Sequence, residues 1–177
     1  DKRRRLLETP EGLNTRPTQD RIKETLFNMI GPDIADSRFL DLFSGSGQMG
    51  IEALSRGAGY AYFFEADNNA LKCINNNLLK TSLTDASRVI SGDIFSNISS
   101  IANEEHFDYV FKDPPYKKLY EKRILEQLKS FDSIDQYTII IVEADINTDF
   151  SYLTALGYEI IREKNYKTNK HVFIQRA

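Results

Sequence analysis

Two stretches of this chain set ligand-binding or reactive residue types at the ends of apolar runs. The first is Phe39-Leu40-Asp41-Leu42-Phe43-Ser44-Gly45-Ser46-Gly47-Gln48-Met49-Gly50. It reads as a strand, a glycine-rich turn and a helix start, the layout by which an open parallel sheet receives a nucleotide-like ligand. Glycine lets the backbone come close to the ligand, and the N–H groups of the first helical turn face it. The second is Asp113-Pro114-Pro115-Tyr116, which follows the apolar run Phe107–Phe111. Each proline fixes its own φ and restricts the residue before it, so the turn is extended and rigid. It can aim the Asp113 carboxylate and the Pro114 carbonyl at one point. An exocyclic amine suits that point. It donates two hydrogen bonds, and acceptors on its N–H groups favour a pyramidal nitrogen and stabilise positive charge as a methyl group arrives. Tyr116 would stack on the base. The plain alternative is a structural Pro-Pro turn with an exposed tyrosine.

Gly45-Ser46-Gly47-Gln48-Met49-Gly50 also satisfies the G-x-G-x-x-G dinucleotide pattern, with Glu65 about where a ribose-binding acid belongs. An NAD-dependent oxidoreductase is therefore one reading. The other rests on four acids, Asp41, Glu65, Asp93 and Asp113, at or near the ends of the first four expected strands. In a parallel sheet those ends share one rim, where ligands bind. Acids there would repel a pyrophosphate but suit a ligand carrying an ammonium group and a sulfonium, as S-adenosylmethionine does. On this reading Glu65 takes the ribose hydroxyls, Asp93 and the Ile94 backbone take the adenine amine, and Asp41 with the glycine backbone faces the methionine end. Phe43, Gly45, Ser46, Gly47 and Ala66 complete the expected cofactor-binding set.

The elements that must position these residues follow from periodicity and breakers. Residues 1–17 read as a basic arm broken by Pro10, Gly12 and Pro17, and Thr18 as the N-cap of a helix Gln19–Ile30. Strands are expected over Arg38–Phe43, Tyr60–Phe64, Arg88–Ile90, Phe107–Phe111 and Tyr137–Glu143, with helices between them over Gln48–Arg56, Asn69–Lys80, Ile94–Ile101 and Leu119–Lys129. Leu71, Ile74, Leu78 and Leu79 are the expected buried side of the second of these. The Ile139-Ile140-Ile141-Val142 run indicates a strand buried on both faces. A short helix near Phe150–Ala155 and a hairpin of Tyr158–Lys164 with His171–Gln175 close the chain. The expected class is α/β: a Rossmann-like, doubly wound, mostly parallel seven-stranded sheet with an antiparallel C-terminal hairpin, spanning residues 18–177 as one domain.

Length and composition suit a soluble globular domain of 177 residues, and no apolar run approaches the roughly 20 residues of a membrane span. The one cysteine, Cys73, cannot form an internal disulfide and fits a reducing cytoplasm, as a buried bystander rather than a nucleophile. His106 and His171 stand far apart without ligand spacing, which argues against a metal site. The net charge of −3 argues against a uniformly basic nucleic-acid binder, but the two ends are basic while the middle is acidic. Arg3, Arg4, Arg5 and Arg16 at one end, and Lys167 and Lys170 at the other, could grip a polyanion beside the site; solvated surface charge is the bland reading.

At these motifs the sequence resembles the class I S-adenosylmethionine-dependent methyltransferases, whose amino-methylating members carry (N/D)-P-P-(Y/F) after the fourth strand. More narrowly it resembles the RsmD family of bacterial 16S rRNA guanine-N2 methyltransferases. The resemblance covers nearly the whole chain, through Thr15-Arg16-Pro17-Thr18 and Asp20 to Asn28, then Leu40 to Ala58, then Asp113 to Tyr116. It implies one methyl transferred from S-adenosylmethionine to the N2 amine of a guanine in 16S rRNA or the small ribosomal subunit, with S-adenosylhomocysteine as product. It also implies that Arg16, Pro17 and Thr18 lie over the cofactor or substrate pocket. Set against the family it resembles, the chain is expected to have the N-terminal strand region ahead of Lys2 missing or shortened. The expected enzyme is a monomer without a metal, transferring the methyl directly, with Asp113, Pro114, Pro115 and Tyr116 as the catalytic set. The same chemistry on a DNA adenine, another rRNA guanine or a protein glutamine is the nearest alternative. A catalytically silent RNA-binding module is a further one.

Overall fold

The computed structural model describes residues 17–113 and 118–177. The expected roles of Arg3, Arg4, Arg5, Arg16, Pro114, Pro115 and Tyr116 fall outside the described residues. The chain divides into two compact units, Asp1–Ile94 and Phe95–Ala177.

In the first unit, α1 spans Pro17–Ile30, with proline in the first turn, where its missing N–H would have had no helical partner. Thr18 is therefore inside the helix rather than its cap. Leu26 and Phe27 are buried on α1, and Phe27 packs on Phe39, with ring centroids 6.0 Å apart. Burial of each such side chain is worth about 1.5–3 kcal/mol. Strands β1 (Arg38–Leu42), β2 (Tyr60–Glu65) and β3 (Ser87–Ser91) pair in parallel in the order β3-β2-β1. Helix α2 (Gln48–Ser55) leads out of β1 and α3 (Asn68–Lys80) out of β2.

The buried stripe of α3 is Ala70, Cys73, Ile74, Asn77 and Leu78. The expected buried Leu79 is instead 68% exposed and Leu71 only half-buried. Each stands one position, about 100°, beyond the stripe, and the side chain that fills the missing place is polar. Asn77 is tolerated there because its Nδ2 donates to the Ser46 carbonyl at 2.9 Å.

In the second unit the described helices are α4 (Ile94–Asn97, which starts at the boundary), α5 (Lys118–Lys129) and α6 (Leu153–Leu156). Strands β4 (Tyr109–Lys112), β5 (Ile139–Asp145), β6 (Tyr158–Asn165) and β7 (Asn169–Arg176) run in the order β4-β5-β7-β6. The β4–β5 pair is parallel, and both pairs made by β7 are antiparallel. Seven strands, mostly parallel and ending in an antiparallel hairpin, are the expected Rossmann-like class. β4 starts two residues later than expected because the Phe107 N–H donates to Ser133 rather than to a neighbouring strand. The isoleucine run behaves as its composition requires: Ile140, Ile141 and Val142 are at most 1% exposed. Among the described residues no helix is long and apolar enough to cross a membrane.

Candidate functional site

The glycine turn of the first unit is held by side chains from three elements. β1 delivers Asp41, 1% exposed, whose Oδ2 accepts from the Gly50 N–H at 3.3 Å. Phe43 then turns into the left-handed region at φ 61°, a costly conformation for a residue with a bulky side chain, and brings the chain into Ser44 and Gly45. Gly47 caps α2 at φ 81° and no side-chain oxygen occupies the cap. Gly50 has no room for any other residue, because a Cβ there would lie 2.3 Å from the Phe63 ring of β2.

Glu65, the last residue of β2, closes the arrangement. Its Oε1 accepts from the Gly45 N–H at 2.7 Å, and its Oε2 from the N–H groups of Ala66 and Asp67 at 3.0 and 2.9 Å. A carboxylate has about four acceptor positions, so Glu65 shapes the turn and keeps capacity for a hydroxyl donor. The Gly92 N–H donates to the Glu65 carbonyl at 3.0 Å, which ties the end of β3 to the same place. Beyond it Asp93 is exposed and Ile94 buried. Asp41, Gly45, Ser46, Gly47, Glu65 and Ala66 thus belong to one hydrogen-bonded assembly, with Asp93 and Ile94 at its margin. Thr18 is exposed in the first turn of α1.

Burial pushes the Asp41 carboxyl up to about 8, against the opposing pull of the Gly50 N–H and Ser44. Burial thus favours the neutral form of Asp41, which is one of the four acids expected near the strand ends. A carboxyl whose pKa is raised on folding contributes stability below the unfolded value, and that stability is lost as pH rises through the folded one. We therefore expect the melting temperature to fall by roughly 5 °C or more between pH 5 and pH 9, and Asp41→Asn to flatten that slope. Equal slopes in calorimetry of the two proteins would refute this account of Asp41.

In the second unit Asp113 directly follows β4 and is exposed. Lys112 before it is 0% exposed, and its Nζ is 3.9 Å from Glu121 Oε1 on α5, without a hydrogen bond among the described residues. Burial pushes this ammonium down to about 8, while the charges of Glu121 and Asp113 pull it back up. The Tyr152 hydroxyl donates to Glu121 Oε2 at 3.1 Å, so a small polar network anchors the N-terminal half of α5.

Sequence reasoning missed Lys112, which looks like a strand's polar end, and Asn77, which interrupts an apolar stripe. It also missed the pairing of His171 with Glu143, whose Nε2 and Oε1 atoms are 2.7 Å apart. Of the expected phosphate-binding lysines, Lys167 is exposed in the hairpin turn. Lys170 is already engaged, 3.4 Å from Glu163 and 5.4 Å from the Phe150 ring centre. Among the described residues no group of three or more histidine, cysteine or acidic side chains could hold a metal.

Comparison with known proteins agrees with this geometry. The family described as Conserved hypothetical protein 95 matches residues 1–175. Ribosomal RNA small subunit methyltransferase D of Haemophilus influenzae is 36% identical over 87% of this chain and 78% of its own length. The solved structure of the Escherichia coli methyltransferase candidate yhhF superposes with a TM-score of 0.82 at 32% identity, covering 97% of this chain and 92% of that one. A more distant methyltransferase candidate, SMU.776, solved in complex with SAH, shares the fold with a TM-score of 0.71 at 14% identity, over 93% of this chain and 51% of its own. By its motifs, its strand pairing and these matches, this chain belongs to the Conserved hypothetical protein 95 family, the RsmD family.

Proposed function

We propose that this protein methylates the exocyclic N2 amine of a guanine in 16S rRNA, with S-adenosylmethionine as donor. The observation that carries the reading is the Glu65 carboxylate. It draws the Gly45, Ala66 and Asp67 N–H groups around one point while retaining an acceptor position. That is a cradle for a ribose, and the uncapped start of α2 beside it offers backbone donors to the ligand's carboxylate. When bound, the donor supplies a methyl group from its sulfonium, the S–C bond electrons remaining on sulfur. Asp113 and the Pro114 carbonyl accept the N–H groups of the amine and orient its lone pair, and Tyr116 stacks on the guanine. The base must leave its stack to be reached, and the basic arm of residues 1–17 together with Lys167 holds the flanking phosphates.

The test is transfer of label from S-adenosylmethionine to 16S rRNA and to small subunits lacking the modification, with nucleoside analysis of the product. N2-methylguanine is the expected result. Cofactor binding without transfer to either RNA would overturn the substrate assignment, and binding of NAD instead would overturn the donor.

A further inference from the structure

Two side chains of α5 and one of α4 form a stack at the surface of the second unit. Tyr120, 42% exposed, packs on the half-buried Phe95, with ring centroids 5.5 Å apart and planes tilted by 41°. The Arg123 guanidinium lies over the Phe95 ring, 3.9 Å from its centre. Tyr120 and Arg123 stand at i and i+3 on α5, so they share one side of the helix, and Phe95 lies against both. The core face of α5 is separate, carried by the fully buried Ile124, Leu125 and Leu128. A surface cation–π contact is the bland reading. It explains why Arg123 rests on Phe95, but not the open ring of Tyr120 beside it.

Charge narrows what fits that ring. The first two turns of α5 carry Lys118, Lys122 and Arg123 against one acid, Glu121, and Lys117 stands just ahead in the sequence. Glu121 is buried against Lys112 and Tyr152, so the accessible charge of this segment is positive. Among the described residues no carboxylate stands within ion-pair distance of the exposed Arg123. Stacking on Phe95 occupies a face of the guanidinium and leaves its N–H edge, which matches a phosphate in two parallel hydrogen bonds. An open aromatic ring beside an arginine with unused donors suits single-stranded nucleic acid, which brings a base to the one and a phosphate to the other. The place is near the proposed chemistry. Asp113 directly follows β4, and the chain from there to Lys118 can span no more than roughly 18 Å.

We propose that Tyr120, Phe95 and Arg123 form a platform for the RNA strand beside the target guanine, an inference that rests on the methyl transfer proposed above. A neighbouring base stacks on the Tyr120 ring, its phosphate is bound by Arg123, and Phe95 supports both side chains from beneath. Extruding the guanine leaves a neighbour with an uncovered face, and the platform covers it. Every base has such a face, so the platform contributes affinity and register rather than sequence choice.

Equilibrium binding of unmodified 16S rRNA and steady-state methylation test this. Tyr120→Ala should weaken RNA binding about 10-fold without altering its salt dependence, and Tyr120→Phe should bind as wild type, because the ring and not the hydroxyl does the stacking. Arg123→Gln should lower the slope of log affinity against log salt by about 0.7, the value for one phosphate on a single strand. In all three the affinity for S-adenosylmethionine should stay within threefold of wild type, and the lost activity should appear in KM for RNA rather than in kcat.

Wild-type RNA affinity in Tyr120→Ala, or a wild-type salt slope in Arg123→Gln, overturns the platform while wild-type methyl transfer upholds the functional reading. Loss of S-adenosylmethionine binding in Tyr120→Ala would make the ring a wall of the cofactor site, and overturns it as well. Weaker binding to small subunits with unchanged binding to naked 16S rRNA would assign this surface to a ribosomal protein instead. No transfer by the wild type to either substrate sinks the functional reading itself, and the platform with it.

Discussion

Asp113→Ala should lower methyl transfer by at least about 10³-fold while cofactor affinity stays within threefold of wild type. The carboxyl stands at the exposed end of β4 in the second unit, whereas the glycine turn is shaped by Glu65 of the first unit. What is lost is an acceptor aimed at the amine. A guanine amine has its lone pair delocalised into the ring, and without acceptors on its hydrogens the nitrogen stays planar and poorly nucleophilic. Single-turnover kinetics with saturating donor, beside calorimetric titration of the donor alone, separate the two effects. Loss of binding and transfer together would show that Asp113 supports the fold instead.

Glu65→Gln should act on the other half of the reaction, weakening cofactor binding by about 100-fold with a smaller effect on stability. Three backbone N–H groups converge on the Glu65 carboxylate, from Gly45 on one oxygen and from Ala66 and Asp67 on the other. An amide has only one acceptor oxygen, so at least one of these donors would face an N–H₂ group and lose its partner. An unsatisfied donor costs about 1–3 kcal/mol, and the turn it shaped is the cradle itself. A ribose hydroxyl would meet a neutral acceptor in place of a charged one, which removes most of the remaining interaction. The measurement is donor titration together with a melting curve. A dissociation constant within threefold of wild type would remove Glu65 from the cofactor site.

Both predictions concern residues legible from local sequence. An apolar run followed by Gly45-Ser46-Gly47, and another followed by Asp113-Pro114-Pro115, announce themselves because strand, turn and proline conformations are decided within a few residues. The strand and helix order followed from the same short-range periodicity, and with it the mostly parallel class. Where that reading failed, a longer-range term had won. Leu79 was placed inside because it continued an apolar pattern, yet the stripe of α3 runs through Asn77, whose polar side chain is buried against the Ser46 carbonyl 31 residues away. Asp41 was read as one of four acids near the strand ends, and only the structure shows that it is 1% exposed, so that burial pushes its carboxyl up to about 8.

The sequence by itself therefore determined the element order, the glycine turn and the family. Only the tertiary structure decided which polar groups those elements bring into contact. His171 looked isolated because 28 residues separate it from Glu143, and only the antiparallel register of β5 and β7 sets them side by side. Lys112 looked like a strand's polar end until α5 brought Glu121 to within 3.9 Å of it. Periodicity reports which face of an element is buried, whereas hydrogen-bond partners and the charge state of a buried acid depend on what packs against that face.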